Sequence, residues 1–274
     1  MKTLKNHQII YDNECPLCSA YTNAFIKNEM LEANGRVTYN EYCKTNTHNV
    51  DLKMAQKKIA LINTETGETT YGLDSMLKII SNRFPFVATL FSIKIIYWLF
   101  TKLYYFISFN RKVIAPSKQS TTTCYPDFNL KYRILFLVFC WAITTWILHT
   151  LTALFHFKSY SSYTEAVLLI IQIPIQYVVI KIKTKEVFVN YLGHLLFLSF
   201  FGSLLLLPII IINHFILLSL IANAIYFFAV VFVLIIMHFK RVKLLELNTA
   251  LCYSWVVFRV IILFYLIITN YIQP

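Results

Sequence analysis

Two cysteines separated by two residues, Cys15 and Cys18 in "YDNECPLC", have the spacing in this chain best suited to chemistry. Such a pair can close a disulfide across one helical turn, so that one thiol attacks a target sulfur and the other releases it. The reactive form is the thiolate. The N–H groups and partial positive charge of a helix's first turn lower a thiol pKa, whereas nearby carboxylates such as Asp12 and Glu14 raise it. The same two residues also suit half of a zinc site, or two small apolar positions. Zinc takes about four ligands, and Cys43, His7 and His48 form no second close pair. No metal and no cofactor is expected.

The elements around the pair must place it at a strand-to-helix junction. "HQIIYD" predicts a strand, and the stretch from Pro16 carries Leu17, Ala20, Tyr21, Ala24, Phe25 and Leu31 at helical spacing and stops at Gly35. "RVTYNEY" predicts a second strand with Cys43 at its end, where a parallel βαβ unit would carry it toward the edge that holds Cys15. Cys43 is therefore a candidate third thiol, set against the simpler expectation of an ordinary cysteine. "KKIALINTETGETTYG" predicts a hairpin turning at Thr66–Gly67, and "LDSMLKIISNRF" a helix ending before Pro85. Strand, helix, strand, hairpin and helix in that order describe a compact α/β domain.

The rest of the chain has a different composition. Overall it is 58% hydrophobic and 14% charged, with 5 glycines in 274 residues, and ten of the thirteen acidic residues precede Leu130. These values describe a membrane protein with a polar N-terminal domain. The net charge of +12 divides about equally between the halves, and no basic run is interleaved with base-stacking aromatics, which excludes nucleic acid as a partner. A bilayer core of about 30 Å takes around 20 helical residues. Five stretches approach this: Tyr132–Phe155, Tyr163–Ile180, Val187–Ile212, Phe215–Phe239 and Ala250–Ile272. They are too long and too continuously apolar for the strands of a barrel.

Lys131 and Arg133, then Lys181, Lys183 and Lys185, then Lys240, Arg241 and Lys243 mark one side, while the other holds Lys158 alone. Because Lys and Arg are retained in the cytoplasm, the N-terminal domain is expected there and the C-terminus outside. "MKTLKNHQII" lacks the apolar core of a signal peptide, consistent with a domain that is not exported. Phe84–Ser108 has the length of a span but carries Lys94 and Lys102, which fall within about 80° of each other on a helix. It is expected as an amphipathic helix on the domain or on the membrane surface.

Asp12, Cys15, Pro16 and Cys18 fit the D-x-x-C-x-x-C pattern of the DCC family (DUF393) of predicted thiol-disulfide oxidoreductases. "YGLDSM" at Tyr71–Met76 and "FNRKVIAP" at Phe109–Pro116 resemble two later elements of that family. The resemblance covers residues 7 to 116 and implies a thioredoxin-like fold. The chain differs at Ala60, where thioredoxin-like sites place a cis-proline. The expected architecture is an α/β thioredoxin-like domain over 1–116, with its amphipathic helix near 86–108, then a linker over 117–131. A transmembrane bundle of about five helices follows over 132–274.

The resemblance and the helix-start position together favour redox chemistry, with Cys15 attacking and Cys18 resolving. Asp12 and Pro16 support the motif. The implied function is that of a membrane-anchored thiol-disulfide oxidoreductase of the bacterial cytoplasmic membrane, its partners the lipid bilayer and a thiol or disulfide protein substrate. The alternative is a membrane assembly or transport component in which the domain only docks.

In the apolar half, Cys124, Cys140 and Cys252 are expected to be packing cysteines. Arg259 stands nine residues into the last span, about 14 Å deep at 1.5 Å per residue. A guanidinium at that depth needs partners. Depth counting offers Gln172, Gln176, Ser199, Ser203 and Asn223, whereas Glu165, the best charge partner, stands nearer the outer end. Two roles follow for Arg259: holding the bundle together through those amides, or binding an anionic or quinone-like ligand.

Overall fold

A computed structural model describes residues 2–45, 50–117, 128–155, 163–180 and 185–272. Cys124, His48, Lys158, Lys181 and Lys183 lie outside the described residues, as do 118–127 of the expected linker. The chain divides into two compact units, Met1–Tyr132 and Arg133–Pro274.

In the first unit, strands β1 (His7–Tyr11), β2 (Arg36–Thr38), β3 (Ala60–Asn63) and β4 (Thr69–Tyr71) form one sheet in the order β2-β1-β3-β4. β1 runs parallel to β2 and antiparallel to β3, and β3 antiparallel to β4. This mixed sheet with helices around it is a thioredoxin-like arrangement. β1 is central, and strand alternation sends its two isoleucines to opposite faces. Ile9 packs with Phe25, Leu31, Leu61 and Ile79, while Ile10 packs with Tyr39, Tyr42, Ala60 and Ile62. Each fully buried aliphatic side chain contributes about 1.5–3 kcal/mol, so both sheet faces must be covered by helices.

Helix α1 (Pro16–Lys27) starts from Cys15, whose extended backbone makes it the N-cap, with Pro16 in the first turn, where its missing N–H costs nothing. The helix does not run on to Gly35. Glu29 adopts a positive φ of 55°, and the N–H groups of Glu29 and Met30 bond the carbonyls of Ile26 and Phe25 at 2.9 and 2.8 Å. That is a Schellman closure, here made without glycine. Gly35 instead closes a tight turn before β2, its N–H on the Glu32 carbonyl at 2.8 Å.

The expected second strand is also shorter than its sequence pattern. β2 ends at Thr38, and Tyr39–Thr45 is helix α2. Thr38 Oγ1 accepts from the Glu41 N–H at 3.2 Å, while the Glu41 carboxylate accepts from the Thr38 N–H and hydroxyl at 3.2 and 2.8 Å. Thr38-x-x-Glu41 is a capping box, and it switches the chain from strand to helix. Asp51 caps α3 (Leu52–Lys57) by accepting from the Met54 N–H at 3.0 Å.

The β3–β4 hairpin turns at Gly67, with φ 74°, as its sequence implies. Helix α4 (Leu73–Arg83) follows Gly72 and ends before Pro85. The segment expected as one amphipathic helix is two, α5 (Pro85–Phe91) and α6 (Lys94–Ile114), bent by 97°. Ser92 Oγ bonds back to the Thr89 carbonyl at 2.7 Å, and Ile93 is extended as the cap of α6, which together stop the first helix.

In the second unit, helices α7 (Leu130–Thr152), α8 (Thr164–Ile180), α9 (Lys185–Phe215), α10 (Leu220–Leu244) and α11 (Ala250–Ile272) correspond to the five expected stretches. Among the described residues, four of them are long and apolar enough to cross a membrane, five if the bent α5–α6 pair is counted as a span. α8 is shorter, at 17 residues. Several polar groups of this unit pair across helices, which offsets the cost of burying them among apolar side chains. Gln176 donates to Ser254 at 3.1 Å and accepts from the Tyr191 hydroxyl at 2.8 Å, and Asn213 donates to Asn223 at 2.8 Å.

Candidate active site

Cys15 and Cys18 sit at the junction of β1 and α1, one as the helix cap and the other in its first turn. Both are free thiols and both are buried, with relative exposures of 5% and 2%. Cys15 Sγ accepts from the Cys18 backbone N–H at 3.4 Å. Cys15 is the more exposed by only that narrow margin, so the two thiols are separated by electrostatics more than by access.

Arg111, on the last turn of α6, supplies a charge that sequence reasoning passed over. Its Nη1 lies 3.7 Å from Cys18 Sγ, and its Nη2 donates to Asp12 Oδ2 at 3.4 Å. Asp12 also caps the loop, accepting from the Glu14 N–H at 3.0 Å. Burial of the guanidinium opposes its charge, but Cys18, Cys15 and Asp12 outweigh that and hold Arg111 above its ordinary pKa. Burial raises the Asp12 carboxyl, and Arg111 partly restores it. Lys112, next in sequence, is lowered to about 8, first by burial and then by repulsion from Arg111.

These surroundings drive the two thiols apart. A hydrogen bond from the Cys18 thiol is the main cause that lowers Cys15 to about 6; burial opposes it, and the Cys18 N–H and Arg111 add to it. Cys18 is raised, first by donating that hydrogen bond and then by burial, against the pull of Arg111 and the Tyr21 hydroxyl. Tyr21 and Tyr104 are both raised by their own burial, Tyr104 to about 12, so both phenols are neutral near neutral pH. These shifts favour the thiolate at Cys15 and the protonated thiol at Cys18.

α6 is held over the domain by the two later elements already noted in the sequence. Gly72 takes a positive φ of 66°, and a Cβ there would meet the Tyr104 ring at 3.2 Å. Asp74 accepts from the Tyr97 hydroxyl at 2.8 Å. Asn110 donates to the Phe106 and Tyr132 carbonyls at 2.8 and 3.2 Å, which anchors the turn that presents Arg111. Both elements therefore position the arginine.

The remaining candidates fall elsewhere. Cys43 does not end a strand: it lies exposed on α2, because the Thr38–Glu41 box begins a helix before it. Ala60 opens β3, fully buried and paired with Ile10 and Tyr71, and there is no cis peptide among the described residues. Pro16 is in the first turn of α1 as expected. Among the described residues no group of three or more His, Cys, Asp or Glu is placed to hold a metal.

Among the described residues, the partner shown for Arg259 is a carboxylate. The arginine Nη1 pairs with Glu165 Oε2 at 3.6 Å, while Gln176 and Asn223 bond other residues. Glu165, placed nearer the outer end by depth counting, is therefore the partner of Arg259, from the first turn of α8.

A mixed sheet whose first strand feeds a Cys-Pro-Leu-Cys helix start has the thioredoxin-like arrangement. The family model described as DCC1-like thiol-disulfide oxidoreductase matches residues 9–115, so the resemblance seen in the sequence holds for this N-terminal segment. The match ends one residue after α6, and therefore includes Arg111. Searches of curated proteins and of solved structures gave no match.

Proposed function

We propose that the chain is a membrane-anchored thiol-disulfide oxidoreductase whose Cys15 thiolate attacks a disulfide of a protein substrate. The observation that carries this is the hydrogen-bonded Cys15–Cys18 pair at the cap of α1 with Arg111 beside it. In the first step the Cys15 sulfur bonds one substrate sulfur, the substrate S–S bond breaks, and the other sulfur leaves as thiolate. The mixed disulfide removes the negative charge that kept Cys18 protonated, and Arg111 then favours the Cys18 thiolate. Cys18 loses its proton to the departing thiolate or to solvent and attacks Cys15 Sγ. The substrate leaves as a dithiol, and the enzyme is left with a Cys15–Cys18 disulfide. A cellular dithiol reductant must then return it to the reduced state.

The flanking lysines and arginines support a cytoplasmic domain and an external C-terminus in a bacterial membrane. In that compartment the pair rests as a dithiol. A permeant maleimide should label both cysteines in intact cells, and protection that disappears only after reduction would count against this placement.

Cys18→Ser should trap Cys15 in mixed disulfides that mass spectrometry identifies, and no such species should form with Cys15→Ser. Ala60 and the burial of both thiols favour a second role, docking without catalysis. If Cys15→Ser and Cys18→Ser both fully complement a deletion strain, docking is the function.

A further inference from the structure

Within the helical unit, a cavity of about 370 Å³ is lined by Leu206, Leu234 and Leu263 and, on its polar side, by Glu165, Trp255 and Arg259. Its size lies in the range of small-molecule sites, which are mostly apolar with a few placed polar groups. Gly202 on its wall leaves the room that Leu234 fills: a Cβ there would collide with the Leu234 side chain.

The polar groups specify the occupant. Trp255 and Arg259 stand four residues apart on α11, so they share one helix face. Among the described residues, Trp255 Nε1 and Arg259 Nε are buried N–H groups without an acceptor, and Trp255 is 5% exposed. An unsatisfied buried donor in an apolar surrounding is unfavourable, so an acceptor on a bound molecule would be held there. The hydroxyls of Ser199 and Ser203 already donate to the carbonyls of Leu195 and Phe200. The charge is neutralised too, because Glu165 pairs with Arg259 at 3.6 Å. An anion would meet the Glu165 carboxylate; a neutral acceptor would not. Phe228 and Val260, also lining residues, are 52% and 43% exposed, which opens the cavity sideways between α10 and α11, where lipid-soluble molecules arrive.

We infer that this cavity binds a neutral, lipid-soluble molecule bearing a carbonyl oxygen, with the oxygen on the N–H groups of Trp255 and Arg259 and the apolar body among the leucines. A quinone ring or a neutral acyl ester could supply that carbonyl. The inference does not depend on the thiol chemistry.

The full chain in detergent micelles, titrated calorimetrically with decylubiquinone, methyl oleate and oleate, tests it. Saturable binding of a neutral probe is expected, and whichever of the two binds identifies the carbonyl source. Trp255→Phe keeps the ring and removes the N–H, and should weaken that binding about tenfold. Val231→Phe fills the cavity and should abolish it. The inference is overturned if neither neutral probe saturates in the wild type, if both variants bind as the wild type does, or if oleate binds more tightly than both neutral probes.

Discussion

Each of the two units holds an arginine–carboxylate pair, and the two pairs are put to different use. Arg111 and Asp12 lie 3.4 Å apart, with Cys18 Sγ 3.7 Å from the same guanidinium, so the arginine is shared between a carboxylate and a thiol. Arg259 and Glu165 lie 3.6 Å apart in the helical unit, with no thiol among the residues lining their cavity. The first pair leaves positive charge for a sulfur to use when it ionises. The second cancels itself and leaves only N–H donors. A buried ion pair is thus weak evidence of chemistry by itself. What it faces decides its role.

The contrast breaks most sharply at the thiols. Cys15→Ser should reduce disulfide turnover to background, measured with a protein disulfide substrate in a Cys43→Ser background, because it removes the attacking sulfur. The same variant should leave the thermal midpoint of the helical unit unchanged.

Next in size is Arg111→Met. Removing the guanidinium takes away a cause that lowers both thiols, so the midpoint of Cys15 ionisation should rise. Resolution by Cys18 should slow about tenfold, a loss equal to roughly one pKa unit. Stopped-flow measurement of mixed-disulfide decay would check this, and a decay rate equal to that of the wild type would remove Arg111 from the account.

Glu165→Gln is the counterpart in the bundle. It leaves Arg259 without its carboxylate and should lower the thermal aggregation midpoint in detergent by about 5 °C. Adding Arg259→Gln should recover part of that loss, since neither charge is then stranded. Neither variant should move the Cys15 titration. The smallest effect is expected for Asp12→Asn, which removes a nearby negative charge that raises Cys15. Its midpoint should fall by less than one unit, read from the pH dependence of alkylation.

Much of this site was legible in the sequence because its first half is local. The cysteine pair, Pro16 and the strand before them lie within about a dozen residues, and short-range rules place them. The Thr38–Glu41 box was equally local, but the apolar–aromatic run "RVTYNEY" concealed it, and Cys43 was misplaced with it. Arg111 is of another kind. It stands 99 residues from Asp12 and 93 from Cys18, and the sheet order brings them together. The "FNRKVIAP" stretch marked the place without showing that its arginine faces a thiol. In the bundle, Glu165 was legible as the charge partner for Arg259, but positions along two separate helices do not show that their side chains meet.

The central claim is that Cys15 is the ready thiolate and Cys18 the protonated reserve. It is tested most directly by the rate of Cys15 alkylation across pH 4 to 10 in the full-length protein, with Cys43 replaced by Ser and modification located by mass spectrometry. The account predicts a Cys15 midpoint near pH 6, with Cys18 unmodified until far higher pH. A Cys15 midpoint near that of a free cysteine, about 8.5, or alkylation of Cys18 at lower pH than Cys15, would contradict it.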